Sequence, residues 1–501
     1  MLPRSPLPRV CVALGFPNAN QILESARHEI AEGETFFEFR LDYLADPMSG
    51  VAAIQTLLRQ APDIVVLATC RRSANHGHFE GSVESQLAIL AAAVEAGATG
   101  VDLEIESAEL VPSTIDELKS RTLVVTSWHN FESTPSMLPV LRRMARVPSD
   151  VWKIVTTARK PSDILRVLDC ARTQKQKVVL LTMGETGMPG RILAPIHGSL
   201  WTYVAPASSP GTAPGQIHSR QMRNLYKLDK LTRSAKVYGV IADPVGHSLS
   251  PAIHNRALQS RRIDAVYLPF LVQPAYLRDF VTLASKLPLS GFSVTIPHKQ
   301  KIVRYLDHID PVARRIGAVN TVWRKAGKWR GTNTDVAGVL EPLRRRIRLP
   351  KASILIAGNG GAARGAAFAL SDAGAQVSIV GRTAKAVRAL AKCTGATPYT
   401  PDSLNGHHFD AVVHATPLGM FPYADGCFFA DKIPADLVFD MVYNPLETEL
   451  IRRAREQGLE TIAGIEMFVE QAAHQFELWT GESAPKSLME KTVSEALGGA
   501  Q

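Results

Sequence analysis

Cysteine is scarce in this chain: five residues in 501, Cys11, Cys70, Cys170, Cys393 and Cys427, odd in number and widely scattered. With no CxxC pair and no zinc-type spacing, neither a disulfide framework nor a structural metal is expected. A reducing, cytoplasmic setting is. Long apolar runs are missing too. None approaches the roughly 18 residues that span a bilayer, so no membrane association is expected. The short, proline-rich start, Met1–Val10, lacks the apolar segment of a secretory signal. Acidic residues are in deficit, 47 Asp and Glu against 56 Lys and Arg, for a net charge of +9. Such a surplus can serve nucleic acid, but here it is dispersed. Only Arg344-Arg345-Arg346 is compact and no nucleic-acid motif is visible. The excess suits small anions, carboxylates and phosphates, better than a polynucleotide.

What is present is the composition of an ordinary globular protein, 46% hydrophobic and 21% charged. The length favours two domains of roughly 200 to 270 residues. The first half repeats one rhythm. Apolar, β-branched runs occur at Val10–Phe16, Phe36–Leu41, Ile64–Cys70, Gly100–Ile105, Thr122–Trp128, Val151–Thr156, Lys177–Thr182 and Trp201–Val204. Helical patterns such as Gln21–Ile30, Val83–Ala96 and Met137–Val147 lie between them. Eight strands alternating with helices predict a (β/α)8 TIM barrel. Ala205–Gly215, rich in Pro, Ser, Gly and Ala, has the composition of a linker. A helix-like stretch, Ser219–Leu231, follows it, which places the boundary near Ser234 and leaves the loop to the barrel.

Barrel chemistry sits at the carboxyl ends of the strands. Those ends read Glu38-Phe-Arg40-Leu-Asp42, Cys70-Arg71, Asp102-Leu-Glu104, Ser127-Trp-His129 and Trp152-Lys153, with Arg191 after the seventh strand and Thr212 to Gln216 after the eighth. Strand alternation points Lys153 into the barrel. A desolvated lysine favours its neutral form, which attacks ketones to form an imine. By itself the pattern also fits a lysine snorkelling to the barrel mouth. His129, on the preceding strand, is a suitable base. The whole pattern, Val10 to Leu231, resembles type I 3-dehydroquinate dehydratase. The resemblance makes Lys153 the Schiff-base lysine and His129 the proton-transfer residue. It assigns Glu38, Arg40 and Arg71 to ring hydroxyls and Arg191 to the carboxylate, and it puts Thr212 and Gln216 on a closing loop. That family often shows Glu-Gly-Gly after the strand-3 arginine. Here Asn75-His76-Gly77 stands instead, with Glu80 nearby, so a hydrogen-bonding carboxylate is absent from its usual place.

The second half restarts with strand-like runs at Val237–Ile241, Val266–Phe270, Gly291–Ile296 and Asn320–Trp323. At Lys351 a new α/β rhythm begins with strand Ser353–Ala357, a helix over Ala362–Ala373 and strand Gln376–Val380. This predicts a two-lobed α/β dehydrogenase whose dinucleotide module is inserted into, or follows, a smaller lobe. Between that strand and helix, Gly358-Asn-Gly360-Gly361-Ala362-Ala363 fits the glycine turn that brings backbone amides to a pyrophosphate. Alone it also fits a structural turn. The next strand ends in Gly381-Arg382-Thr383, where a carboxylate would select NAD; an arginine suits a 2′-phosphate, so NADP is expected.

Further clusters stand at Ser248-Leu-Ser250-Pro251, Ser293-Val-Thr295-Ile-Pro297-His298-Lys299, Asn320-Thr321, Thr334-Asp335, Ala415-Thr416-Pro417, Tyr443-Asn-Pro445 and Gly464 to Gln471. In their order, from Lys236 to Gly481, they resemble the shikimate dehydrogenase family. The resemblance makes Lys299 and Asp335 the catalytic pair beside the reacting hydroxyl and gives Ser248 and Ser250 the ring carboxylate. It assigns Thr295, Asn320, Tyr443 and Gln471 to the hydroxyl-bearing side. Gly358, Gly360, Gly361, Ala362, Arg382, Thr383, Thr416 and Gly464 would hold NADP. Ser293 replaces the Asn that many members carry.

The expected organisation is a barrel over residues 1–233 fused to a dehydrogenase over 234–501. The latter has a substrate lobe at 234–340 with C-terminal helices from about 465, and a Rossmann-like NADP lobe at 341–464. The small-molecule partners implied are 3-dehydroquinate, 3-dehydroshikimate and shikimate, one domain's product being the other's substrate. A catabolic quinate oxidiser and a sensor built from retired enzyme domains are the alternatives; a sensor should have lost the lysines that this chain keeps.

Overall fold

The computed structural model describes residues 7–429 and 431–498. Met1–Pro6, most of the proline-rich start, and residues 499–501, the end of the expected C-terminal helices, lie outside the described residues. Two compact units emerge: the chain up to Lys236 together with Asp264–Pro288, and Val237–Ile263 together with the chain from Leu289 on.

The first unit holds eight parallel strands, β1 (Val10–Leu14), β2 (Phe36–Arg40), β3 (Val65–Thr69), β4 (Gly100–Glu104), β5 (Leu123–Asn130), β6 (Val151–Thr157), β7 (Lys177–Met183) and β8 (Thr202–Val204). The hydrogen-bonded ladder runs β7–β6–β5–β4–β3–β2–β1–β8. Across the seam between β7 and β8, Leu200 N–H donates to the Val178 carbonyl at 2.9 Å.

Period-two alternation gives each strand one set of inward residues. The inward set changes character along the strand. Phe36, Val125 and Val151 join the buried apolar cluster with Cys11, Leu67, Val179 and Trp201. Two and four residues further on, the same faces present Glu38 and Arg40, Ser127 and His129, and Lys153. Burial therefore builds an apolar floor with a polar, charged upper layer at the carboxyl ends. The stretch expected to be a helix over Ser219–Leu231 is instead three short pieces, α over Ser219–Gln221, π over Met222–Tyr226 and 3-10 over Leu228–Lys230. Lys227, at φ 46, breaks it, because a left-handed residue cannot continue a right-handed helix.

The second sheet consists of β9 (Lys236–Ala242), β10 (Ala265–Leu271), β11 (Leu289–Val294), β12 (His308–Ile309), β13 (Thr321–Lys325) and β14 (Lys328–Thr332), in the order β10–β9–β11–β13–β14–β12. The run expected as a strand to Ile296 stops at Val294, which leaves Thr295 and Lys299 on the turn beyond it. The third sheet, β15 (Ser353–Ala357), β16 (Gln376–Val380), β17 (Thr397–Tyr399), β18 (Phe409–His414), β19 (Ala435–Asp440) and β20 (Glu460–Ile462), is wholly parallel. Its order, β17–β16–β15–β18–β19–β20, is the doubly wound 3-2-1-4-5-6 arrangement, with its topological switch point between β15 and β18.

After β20 the chain returns to the second sheet through the helix Gly464–Thr480. Trp479 donates from its indole to the Val322 carbonyl and accepts from Tyr238 on its own carbonyl, each at 3.0 Å. The segment that carries the third sheet thus lies between two stretches of chain that pack on the second sheet. The helix starts where the backbone after β19 passes closest. A Cβ on Gly464 would lie 2.3 Å from the Val442 carbonyl oxygen. Gly464→Ala is expected to lower stability by about 1–3 kcal/mol, measured as a shift of the urea midpoint; an unchanged midpoint would mean that the close approach imposes no constraint.

Candidate active site

The first pocket opens at the carboxyl ends of the barrel strands. It is lined by Glu38, Arg40, Arg71, His129, Lys153, Arg191, Thr212 and Gln216, together with Tyr43, His76, Phe131, Tyr203 and apolar neighbours. All eight barrel residues named from the sequence therefore meet around one cavity.

Lys153, its side chain 5% exposed, sits at the centre. Its Nζ donates to Asp102 Oδ2 at 2.8 Å and to Glu38 Oε1 at 3.1 Å, and lies 4.0 Å from the centre of the Tyr203 ring. The sequence argument invoked desolvation of this amine; the structure adds two carboxylates that face the nitrogen, partners that a charge buried at this depth requires. Asp102, fully buried, also accepts from Ser127 Oγ at 2.6 Å. Burial acts to raise its pKa, but the charges of Lys153 and Arg71 outweigh this and lower it. Asp102 and Tyr203 were not selected from the sequence. The signal for Asp102 was its place on the inward face of β4, at the charged layer.

Arg71 Nη1 lies 2.9 Å from His129 Nε2. A guanidinium only donates, so this imidazole nitrogen accepts and His129 is neutral. Burial first, then the charges of Arg71 and Lys153, pushes its pKa well below the ordinary value. Arg40 is gripped by Asp42 through bonds of 2.9 and 2.8 Å. Arg191 differs: it is 1% exposed, among the described residues it makes no ion pair, and its Nη2 donates only to the Pro214 carbonyl at 3.2 Å. Burial pushes its guanidinium down to about 10. A buried cation without a partner is a binding site for an anion.

Where the sequence showed Asn75-His76-Gly77, Asn75 donates to Glu104 at 3.2 Å. His76 takes a left-handed φ of 59 and packs its ring on Phe131 at 4.5 Å, which in turn stacks on His129 at 5.7 Å. Gly77 is forced, since a Cβ there would meet the Arg71 carbonyl oxygen at 2.0 Å. Glu80 is exposed and does not line the pocket. The Ala205–Gly215 stretch is tied to the barrel through Glu29, which accepts from Ala207 N at 2.7 Å.

The second pocket, a cavity of about 470 Å³, is lined by Ser248, Ser250, Thr295, Lys299, Asn320, Asp335, Tyr443, Gly464 and Gln471 among others. Lys299 Nζ lies 2.7 Å from Asp335 Oδ2. Asp335 opens the helix Asp335–Arg344, where the helix end favours a carboxylate. Its other oxygen accepts from Asn320 Nδ2 at 2.7 Å, and Asn320 Oδ1 accepts from Thr321 Oγ1 at 2.7 Å. Gln475 closes the network. Its amide donates to Thr321 at 3.1 Å, and its oxygen accepts from Ser293 Oγ at 2.8 Å and faces His254 Nε2 at 3.3 Å. Sequence reasoning missed Gln475, although it stands four residues after Gln471 and so on the same helical face. Tyr443, its pKa raised by burial, stacks on Phe468 at 4.4 Å.

Of the residues assigned to a dinucleotide, only Gly464 lines that cavity. The others gather at the carboxyl ends of β15, β16 and β18. Gly358, at φ 133, would place a Cβ 2.6 Å from the Ala415 carbonyl oxygen, so no larger residue fits the turn. Gly360 caps the helix Gly361–Asp372, which Gly361 and Ala362 begin, and nothing lies within 4 Å of a Cβ on either glycine. The helix terminus therefore presents open amides, as a pyrophosphate requires. Arg382 and Thr383 are exposed beyond β16, and among the described residues Arg382 makes no ion pair.

Residues 10–233 match the family model of type I 3-dehydroquinase, residues 240–322 that of the shikimate dehydrogenase substrate binding domain, and residues 464–493 that of the shikimate 5'-dehydrogenase C-terminal domain. Over 500 residues the chain is 33% identical to the chloroplastic bifunctional 3-dehydroquinate dehydratase/shikimate dehydrogenase of Arabidopsis thaliana, covering 95% of this chain and 82% of that one. It is 41% identical over 278 residues to the shikimate dehydrogenase (NADP(+)) of Methanosarcina acetivorans, covering 52% of this chain and 99% of that one. A solved structure of dehydroquinate dehydratase and shikimate dehydrogenase from S. pombe aligns with 97% of this chain and 98% of that one, at 24% identity and a TM-score of 0.45.

The neutral, cation-flanked His129 sets a pH dependence. Its protonated form is disfavoured in the fold, so a base at this position would stay competent as pH falls through the ordinary histidine value of about 6.5. The acid limb of kcat/KM for dehydration, which reports the free enzyme, is expected below pH 6.5. A limb at or above 6.5 in a rate profile from pH 4 to 9 would refute the neutral-base assignment.

Proposed function

The chain belongs to the bifunctional 3-dehydroquinate dehydratase/shikimate dehydrogenase family, and from that premise we propose how its residues divide the work. The protein is a lyase and an oxidoreductase of the shikimate pathway. Its first activity converts 3-dehydroquinate to 3-dehydroshikimate and its second reduces that product to shikimate. The boundary between the two enzymes is placed near Ser234.

In the barrel, Arg191 takes the substrate carboxylate, and Glu38, Arg40 and Arg71 take the ring hydroxyls. The ammonium of Lys153 passes a proton to Asp102 or Glu38, both within 3.1 Å of it, and the freed amine adds to the ketone. Loss of water gives a protonated imine, which draws electrons from the neighbouring C–H bond. Neutral His129 accepts that proton and returns it to the departing hydroxyl; one water then adds back to the imine, releasing the product and freeing the Lys153 amine, so the net change is loss of one water. Thr212 and Gln216 cover the ring while this happens. The observation that carries this reading is a buried lysine set between two carboxylates, beside a neutral histidine and an unpaired buried arginine.

In the second site, Ser248 and Ser250 hold the ring carboxylate, and Thr295, Asn320, Tyr443 and Gln471 surround the hydroxyls. The open glycine turn and the exposed Arg382 fit NADPH, with Gly358, Gly360, Gly361, Ala362, Thr383, Thr416 and Gly464 completing the cradle. NADPH supplies the hydride. Lys299 donates a proton to the ketone oxygen as negative charge develops there, and Asp335, oriented by Asn320, holds the ammonium in place. With five unpaired cysteines, a reducing, cytoplasm-like compartment is proposed. No helix among the described residues is long and apolar enough to cross a membrane.

Borohydride added with 3-dehydroquinate is expected to fix a covalent adduct on Lys153. Lys153→Ala should lose the adduct and on the order of 10³-fold or more in dehydration kcat; an adduct on another residue, found by mass spectrometry, would sink the assignment. Lys299→Met is expected to lower the reductase kcat by about 10²- to 10⁴-fold and leave dehydration intact. Arg382→Ala should raise the NADPH KM by about tenfold or more and spare NADH. Initial rates that favour quinate with NAD over shikimate with NADP would overturn the biosynthetic reading.

A further inference from the structure

Beneath the proposed cofactor face lies a buried polar chain that the reaction steps above do not use. His414, the last residue of β18, is 1% exposed, and Asp440, the last residue of β19, is wholly buried. Strand pairing sets the two side by side. His414 Nδ1 lies 2.8 Å from Asp440 Oδ1, and His414 Nε2 lies 2.5 Å from Thr416 Oγ1. Asp440 is fixed from two further directions, accepting from Val442 N at 3.1 Å and from Thr448 Oγ1 at 2.5 Å.

The direction of each bond follows from the groups. A carboxylate only accepts, so His414 must donate from Nδ1. With that single proton on the ring, Nε2 is an acceptor, and the Thr416 hydroxyl donates to it. One Thr416 lone pair is taken by Leu418 N–H at 3.2 Å. A single outward lone pair remains, on a residue that is only half-buried.

We propose that the Asp440–His414 pair is a positioning device that locks the Thr416 hydroxyl as an acceptor, so that Thr416 recognises a hydrogen-bond donor on the cofactor. The proposal rests on the reading that NADPH binds across the ends of β15 and β18. In a doubly wound sheet the first βα turn takes the pyrophosphate and the far side of the switch point takes the nicotinamide half. Thr416 stands on that far side, after β18. The donor it meets is therefore an amide N–H or a ribose hydroxyl of the nicotinamide half, and a phosphate oxygen, which can only accept, is rejected there. His414 touches no ligand and acts through Thr416.

The test is a double-mutant cycle in the full-length protein. Thr416→Val is expected to raise the NADPH KM roughly tenfold, and Thr416→Ser, which keeps the hydroxyl, to stay near wild type. His414→Asn should raise the NADPH KM by a similar factor, with the dehydroshikimate KM little changed, and should have no further effect in the Thr416→Val background. Equal factors in both backgrounds, or an unchanged KM in Thr416→Val, overturn the proposal. A second measurement needs no buried variant. Long-range proton–nitrogen spectra of ¹⁵N-histidine-labelled protein, with His414 assigned by its shift in Thr416→Val, should show the proton on Nδ1; a proton on Nε2 overturns it. Absence of NADPH-dependent turnover by the wild-type chain would instead remove the cofactor reading, while the spectrum would still decide the polarity of the hydroxyl.

Discussion

The barrel site depends on one arrangement: an ammonium, 5% exposed, wedged between the carboxylates of Glu38 and Asp102. Removing a charge from water costs several kcal/mol even after relaxation, and only close, well-directed partners recover that cost. This explains why the carboxyl ends of β2, β4 and β6 must all contribute inward polar residues at one level. It also explains the hydrogen bonds behind the first layer. Asp102 is held by Ser127, and Glu38 by Thr69 at 2.9 Å, so neither carboxylate can turn away from the lysine. Burial first, and then the charges of Arg71 and Lys153, in turn disfavour the protonated form of His129. Base, amine and acid are thus set by one another's charges, and a change at any of them would be felt at all three.

The same logic explains why Arg191 was left unpaired. In a pocket where every other charge has a partner, a lone buried guanidinium is a destabilising feature of the free protein that a carboxylate ligand relieves. An anion bound at this guanidinium would supply the charge partner that the free protein lacks.

Much of this was legible because alternation fixes which residues of a strand face inward. Glu38 and Arg40, or Ser127 and His129, two residues apart, had to share a face, and the strand ends had to share a rim. Motif order carried the second half in the same way. The features that escaped were those that depend on neighbours distant in sequence. Asp102 reads as one acid among many until β4 is placed beside Lys153, 51 residues away. Gln475 gains its role only when the helix Gly464–Thr480 returns to the second sheet after the third. The lost helix over Ser219–Leu231 failed for a different reason, since apolar spacing says nothing of the left-handed residue at Lys227 that ends it.

Two lysines in one chain show how environment, more than residue type, decides chemistry. Lys153 has two carboxylates, a ring at 4.0 Å and almost no solvent. Such a nitrogen has two proton acceptors within reach inside the site. Lys299 has one carboxylate, and its side chain is 33% exposed. That amine is open to proton exchange with solvent. The fusion therefore joins two lysines in opposite surroundings, Lys153 buried between two carboxylates and Lys299 a third exposed beside one.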